Sequence, residues 1–221
     1  LSGCMLHQEE PAKPQRPANF PTEIYAGADK QSSLYQLDSS LSTVRIKVLR
    51  GGLMAKLGHD HIVASRDIQG YLLLGSNSAE RSCRADFYAP INQLIVDDPT
   101  LRVEANLSTT PSANDIAGTK TNMLISLQAD QFPFLQLHSV DCAGALNEEP
   151  VSTTISLHGV SREQLLQMTV TRPDAESLVI SGRFAILQSD FGIEPFSVFN
   201  GLLKVEDRLD ISYQIVARKK D

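Results

Sequence analysis

From residue 34 onward, apolar and polar positions alternate along the chain. Val44, Ile46 and Val48 are separated by Arg45 and Lys47. The same rhythm recurs at Leu178, Ile180, Gly182, Phe184 and Ile186, and again at Leu209, Ile211, Tyr213 and Ile215. A period of two places one set of side chains on a buried face and the other in water, so each run reads as a half-buried β-strand. Weaker versions over 67–74, 82–91, 134–142, 152–158 and 165–171 bring the expected total to about eight strands. Turn residues at Gly75-Ser76-Asn77, Gly144, Pro173-Asp174 and Glu206-Asp207 separate them. The stretch 95–130 is too long for a hairpin loop. Within it, Ile116, Met123, Leu124 and Leu127 share one face of a helix, and a second short helix is expected at 53–57.

Antiparallel strands with one apolar face either stack as a sandwich or curl into a barrel that removes the edges. Roughly eight strands enclose a space that side chains fill or that holds one small ligand. Strands near ten residues run about 33 Å, which suits a long, thin ligand. The inward set is read as Val44, Ile46, Val48, Phe87, Leu137, Leu157, Met168, Phe184, Ile186, Ile211 and Tyr213. For any one of them ordinary core packing is the simpler account; a cavity is a property of the set. Gly70, Ala85, Ala89 and Gly182 fall in the same strands and would leave room. Phe191, Phe196 and Phe199 are expected to close one end as an aromatic cluster, with Phe191 and Phe196 counted among the ligand contacts.

Composition narrows this picture. The chain has 221 residues, 42% hydrophobic, with a net charge of −6. That is enough apolar content for a core, and no apolar run is long enough to span a bilayer as a helix. The one basic cluster is the tail at 218–221, so no phosphate-binding surface for nucleic acid is expected. Residues 5–33 carry Pro11, Pro14, Pro17 and Pro21 and read as a proline-rich tether. The chain opens Leu1-Ser2-Gly3-Cys4, which resembles the lipobox of bacterial lipoproteins. That resemblance implies a signal peptide cut before Cys4, acyl chains on Cys4 and export to the periplasm. Met5 in place of aspartate favours the outer over the inner membrane. Cys83 and Cys142 remain as a pair. In an oxidising compartment they are expected to close a disulfide, with two reduced thiols in one core as the alternative.

Five segments resemble the YceI-like family. They are Tyr35-Gln36-Leu37-Asp38 followed by Ser40, Asp67-Ile68-Gln69-Gly70, Phe132-Pro133-Phe134-Leu135-Gln136-Leu137, Leu157-His158-Gly159-Val160-Ser161-Arg162 and Ser189-Asp190-Phe191-Gly192-Ile193. Their order covers 34–217, the expected domain. The resemblance implies an all-β, lipocalin-like antiparallel barrel of exported bacterial proteins that holds an isoprenoid chain, such as a polyprenyl quinone. Gly58-His59-Asp60-His61 resembles an LGH-x-H subset of the family.

His59 and His61, two residues apart in extended chain, present both rings to one side. With His158 or His138 they would offer a metal or haem site; a structural role or contact with a ligand head group are the other readings. A metal at His59, His61 and His158 is therefore the alternative function. No nucleophile sits beside a base, and no G-x-S-x-G or phosphate loop occurs, so an enzyme is not expected. The expected function is non-covalent binding of a long apolar isoprenoid as carrier or buffer in the cell envelope. The partners are that lipid and the membrane, with a homodimer left open.

Overall fold

The computed structural model describes residues 16–75 and 82–220. Cys4 and the first part of the expected tether lie outside the described residues. Among the described residues thirteen strands form one antiparallel sheet. In chain order they are β1 (Ser33–Leu37), β2 (Thr43–Gly51), β3 (His61–Ser65), β4 (Gln69–Leu74), β5 (Cys83–Pro90), β6 (Ile95–Val96), β7 (Phe134–Val140), β8 (Val151–Leu157), β9 (Val160–Leu166), β10 (Met168–Asp174), β11 (Ser177–Leu187), β12 (Ser197–Val198) and β13 (Leu203–Lys219). The hydrogen-bonded order is β6-β3-β2-β13-β1-β4-β5-β7-β8-β9, with β10 on β11 and β11 on β13.

Thirteen strands replace the expected eight because long strands break where the sheet bends. β9 and β10 are separated by Gln167 alone, yet β9 pairs with β8 and β10 with β11. β1 and β2 likewise pair with successive parts of β13 across a corner at 38–42. There Ser42 Oγ donates to Asp38 O at 2.7 Å and accepts from the Val216 amide at 3.0 Å. The ladder stays open between β9 and β11. A side chain bridges that gap, Gln164 Nε2 donating to Ala185 O at 3.0 Å. The sheet is thus curled but open, which corrects the expectation of a closed eight-stranded barrel.

β13 is the spine, flanked by β1 and β2 on one edge and β11 on the other. The expected turn at Glu206-Asp207 is instead a bulge inside β13, between the pairs Val205↔Arg50 and Leu209↔Val48. The extra residues bend the strand. They include Asp207, whose carboxylate accepts from the Ser189 amide at 2.8 Å and Ser189 Oγ at 2.5 Å.

Among the described residues three α-helices accompany the sheet: α1 (Thr22–Ala26), α2 (Pro99–Glu104) and α3 (Ala113–Ser126). Ser112 and Asp115 form a capping box that starts α3. Its Ile116, Met123 and Leu124, with the following Leu127, pack on the core as the helical spacing predicts. The expected helix at 53–57 is a single 3-10 turn, Ala55–Leu57. α1 is a correction: the later part of the expected tether is docked. Phe20 and Tyr25 are buried against Tyr71 and Tyr88 on the outer face of β4 and β5. Tyr25 Oη donates to Asp86 Oδ2 at 2.5 Å, and Arg84 and His138 also bind that carboxylate. Two aromatic anchors outweigh the prolines around them, because burying each removes a large apolar area from water.

Cys83 and Cys142 form a disulfide with Cα atoms 5.0 Å apart, joining the start of β5 to the turn after β7. Two core clusters line the inside of the curl. One surrounds the disulfide with Tyr35, Leu178 and Ala217; the other gathers Ile91, Ile155, Phe191 and Ile193.

Candidate functional site

Walled by residues of both clusters, the curled sheet encloses a cavity of about 360 Å³. That volume falls within the range of roughly 300–1,000 Å³ seen for ligand pockets. Its wall follows the strand alternation. On β5, Cys83, Ala85, Phe87 and Ala89 face inward, while Arg84, Asp86 and Tyr88 meet the outer cluster around α1. On β13 the wall runs from Leu203 to Ile215, a span of about 33 Å at ~3.3 Å per residue once the bulge is allowed for. The cavity is long, narrow and apolar.

Of the expected inward residues, Val44, Ile46, Val48, Phe87, Leu137, Leu157, Met168, Phe184, Ile186, Ile211 and Tyr213 all line it, as does Phe196. Phe191 does not. It lies in the 3-10 turn after β11, is fully packed in the core, and its carbonyl faces His158 Nδ1 at 3.1 Å. The expected cluster of Phe191, Phe196 and Phe199 is not formed among the described residues: Phe191 is buried, whereas Phe199 is 64% exposed. Ala85 and Ala89 leave space as anticipated, but the two glycines serve other ends. A Cβ on Gly70 (φ +148) would lie 2.1 Å from Asp86 O, so that glycine lets β4 approach β5. A Cβ on Gly182 would meet Tyr213 Oη at 2.5 Å, so the tyrosine ring occupies that space.

Uncharged polar side chains (Thr119, Asn122, Ser126, Ser139, Thr153 and Gln188) are scattered through the lining, and its ionisable groups fall in two places. The first is Tyr213, whose hydroxyl is buried without a hydrogen-bond partner. Burial pushes its pKa up to about 12. The second is the end formed by Arg50, His59, His61 and Lys204, the ionisable residues that join Tyr213 on the wall; no aspartate or glutamate among the described residues lines it. The histidine segment is held by groups that the sequence pattern does not show. His61 Nδ1 donates to Asp97 Oδ2 at 2.5 Å, and Arg102 Nη1 donates to Oδ1 at 2.5 Å. The Ile62 amide adds a third bond at 3.1 Å. Burial alone would raise the Asp97 carboxyl, but hydrogen bonds from His61, Ile62 and Arg102 outweigh it and hold it below the usual range. Arg102 also donates to Asp60 O at 2.9 Å, which pins the loop between the histidines. With Nδ1 committed, His61 offers Nε2 to a ligand. His59 Nδ1 is buried without a partner.

The expected metal set is not assembled. His158 occupies the two-residue turn between β8 and β9, at φ +54 beside Gly159 at φ +74, the conformation of a type I′ hairpin. His138 binds Asp86 on the outer face. No group of three or more histidine, cysteine, aspartate or glutamate side chains suited to a metal occurs among the described residues.

The model of the YceI-like domain matches residues 35–217. The chain belongs to the YceI-like family. Solved structures agree with this at the level of fold. A polyisoprenoid-binding domain from Saccharophagus degradans, implicated in plant cell wall breakdown, is 14% identical with a TM-score of 0.58, covering 84% of this chain and 98% of that one. BcnA of Burkholderia cenocepacia is 12% identical with a TM-score of 0.54, covering 81% and 98%. No curated protein matches the chain. The YceI-like motifs now have places: Gly192 ends the 3-10 turn at φ +68, and His158-Gly159 makes the β8–β9 hairpin.

Proposed function

We propose that this YceI-like protein binds a long apolar isoprenoid lipid, a polyprenyl quinone or similar molecule, inside the curled sheet, and that it carries or buffers this lipid in the cell envelope. The carrying observation is the apolar cavity of about 360 Å³ extending along β13. Removing hydrocarbon from water supplies the driving force. A five-carbon isoprene unit contributes on the order of 4 kcal/mol at about 0.8 kcal/mol per carbon. Three or four units, less the cost of immobilisation, reach micromolar affinity near −8 kcal/mol. The histidine end would address the head group, and binding would involve no covalent step. The family match and the polyisoprenoid-binding relative support the ligand class. In this reading the protein is exported and held at a membrane, the outer one by preference, by acyl chains on Cys4.

The test is organic extraction of the purified protein followed by mass spectrometry, alongside the Ala85→Leu and Ala89→Leu variants. Both alanines line the cavity, so leucine there fills space rather than removing contacts. A prenyl lipid should co-purify with the parent chain and be depleted in the variants at unchanged melting temperature. Failure to recover any apolar molecule, together with no uptake of a prenyl lipid added in detergent, would sink the proposal.

A further inference from the structure

Large apolar side chains crowd the surface around the histidine end. Leu53 is 92% exposed and Leu57 67%, both in the β2–β3 connection; Phe196, Phe199 and Leu202 are exposed in the connections around β12. The two connections are one surface. The Met54 amide donates to Leu202 O at 2.8 Å. Gly52, at φ +88, permits this approach, since a Cβ there would lie 2.4 Å from that carbonyl. Phe196 and Leu203 belong to the cavity wall, so the exposed patch continues into the cavity.

The backbone is strained to present this patch. Phe199, Asn200 and Gly201 occupy the left-handed region in succession, at φ +52, +56 and +83. A bulky aromatic residue there carries a cost, and Phe199, 64% exposed, recovers little of it by burial. A contiguous apolar patch of this kind marks a docking surface. Its fringe carries two exposed lysines, Lys56 and Lys204, which form no salt bridge with a described residue; Lys204 lies near enough to Asp207 to help lower that carboxyl, and Arg50 on the wall is paired with Asp60 at 3.7 Å. Exposed Asp190 and Glu194 lie on the stretch leading to Phe196, outside the cavity wall.

We propose that these two connections dock into the surface of an anionic lipid bilayer, so that the cavity opens directly onto the hydrocarbon from which its ligand is drawn. This rests on the apolar-ligand reading above. Two observations select a bilayer over a protein partner. The patch is continuous with a cavity suited to a membrane-dissolved molecule, and the exposed lysines at its edge, Lys56 and Lys204, match anionic head groups. Leucine and phenylalanine side chains embed a few ångströms into the interface while lysine stays at head-group level. Docking by side chains is separate from any acyl anchor on Cys4.

The experiment uses the full chain with Cys4→Ser, so that no acyl group contributes, in co-flotation with vesicles of phosphatidylcholine containing phosphatidylglycerol. The expected result is flotation that weakens with salt and with lower phosphatidylglycerol content. Leu53→Ser with Phe199→Ser should cut partitioning by about a hundredfold, roughly tenfold per side chain. Both side chains are exposed, so melting temperature and lipid loading from detergent should not change. Lys204→Gln should reduce flotation on anionic vesicles alone. Absence of flotation by the Cys4→Ser chain overturns the proposal. So does a concentration-dependent dimer that the Leu53→Ser and Phe199→Ser changes dissolve, which would assign the patch to a second copy. Loss of detergent loading in the parent chain would instead sink the ligand reading on which the proposal stands.

Discussion

The two ends of the cavity are made by opposite means. At one end, Cys83 and Cys142 tie β5 to the turn after β7, and Ala145, Leu146 and Val151 complete a wall without an ionisable group. At the other, Arg50, His59, His61 and Lys204 line the wall, and position is held by the buried Asp97–Arg102 pair. A covalent bond constrains the unfolded chain and places no demand on nearby polarity. A buried ion pair demands matched hydrogen bonds and aims polar groups. The disulfide end therefore suits a hydrocarbon tail and the histidine end a head group, and the polarity of the cavity fixes the direction in which a chain would lie.

The sharpest way to break this comparison is to remove the covalent tie. Cys83→Ala with Cys142→Ala opens a loop spanning 59 residues of sequence. The chain-entropy account then predicts a loss of about 4 kcal/mol, read as a lower midpoint in guanidinium unfolding. Vesicle docking at the far end should survive wherever the fold persists. A loss under about 1 kcal/mol would show that the ladder between β5 and β7 already constrains this end.

The corresponding test at the polar end is Asp97→Asn. Asp97 is fully buried and accepts from His61, Arg102 and the Ile62 amide. Losing its charge strands Arg102, itself 6% exposed, at an expected cost of about 3 kcal/mol. The pH dependence has a definite sign. The folded-state pKa of Asp97 lies below its ordinary value. Its stabilisation is thus complete above the unfolded value of about 4 and is lost as pH falls through the lower folded value. Unfolding midpoints of the parent and Asp97→Asn chains should therefore begin to converge as pH falls below about 4. A constant difference down to pH 2 would show that the carboxylate is not the source.

How much of this contrast was legible in the sequence differs between the ends. The wall follows from alternation alone, since Val44, Ile46, Val48, Ile211 and Tyr213 obey a strict period of two and the sheet keeps it. Phe191 escaped because it lies past the end of β11, where the period lapses into a 3-10 turn. The support beneath the histidines was not legible. Asp97 and Arg102 sit in a connection whose pattern gives helix faces but no long-range pairing, and His61 reaches Asp97 across 36 residues of sequence. The local signal there was the Asp98-Pro99 helix start. The docking of α1 was masked by prolines, although Phe20 and Tyr25 stand out as the aromatic residues of that stretch. Strand count failed for a related reason: alternation continues through a corner, while pairing changes partner there.

Tyr213 lies between the two ends and tests whether the middle of the cavity is as apolar as its wall. It faces Val44 across β2 and Gly182 across β11. Its hydroxyl is buried without a partner. A buried polar group left unpaired costs about 1–3 kcal/mol. Tyr213→Phe removes that group and keeps the ring over Gly182. The expected outcome is a gain of about 1 kcal/mol in stability, with prenyl-lipid binding equal or tighter. Destabilisation with weaker binding would mean that the hydroxyl is satisfied when the cavity is filled, by a ligand oxygen or an ordered water. The head group would then reach well past the histidines, and the division into a polar end and a hydrocarbon end would have to be redrawn at Tyr213.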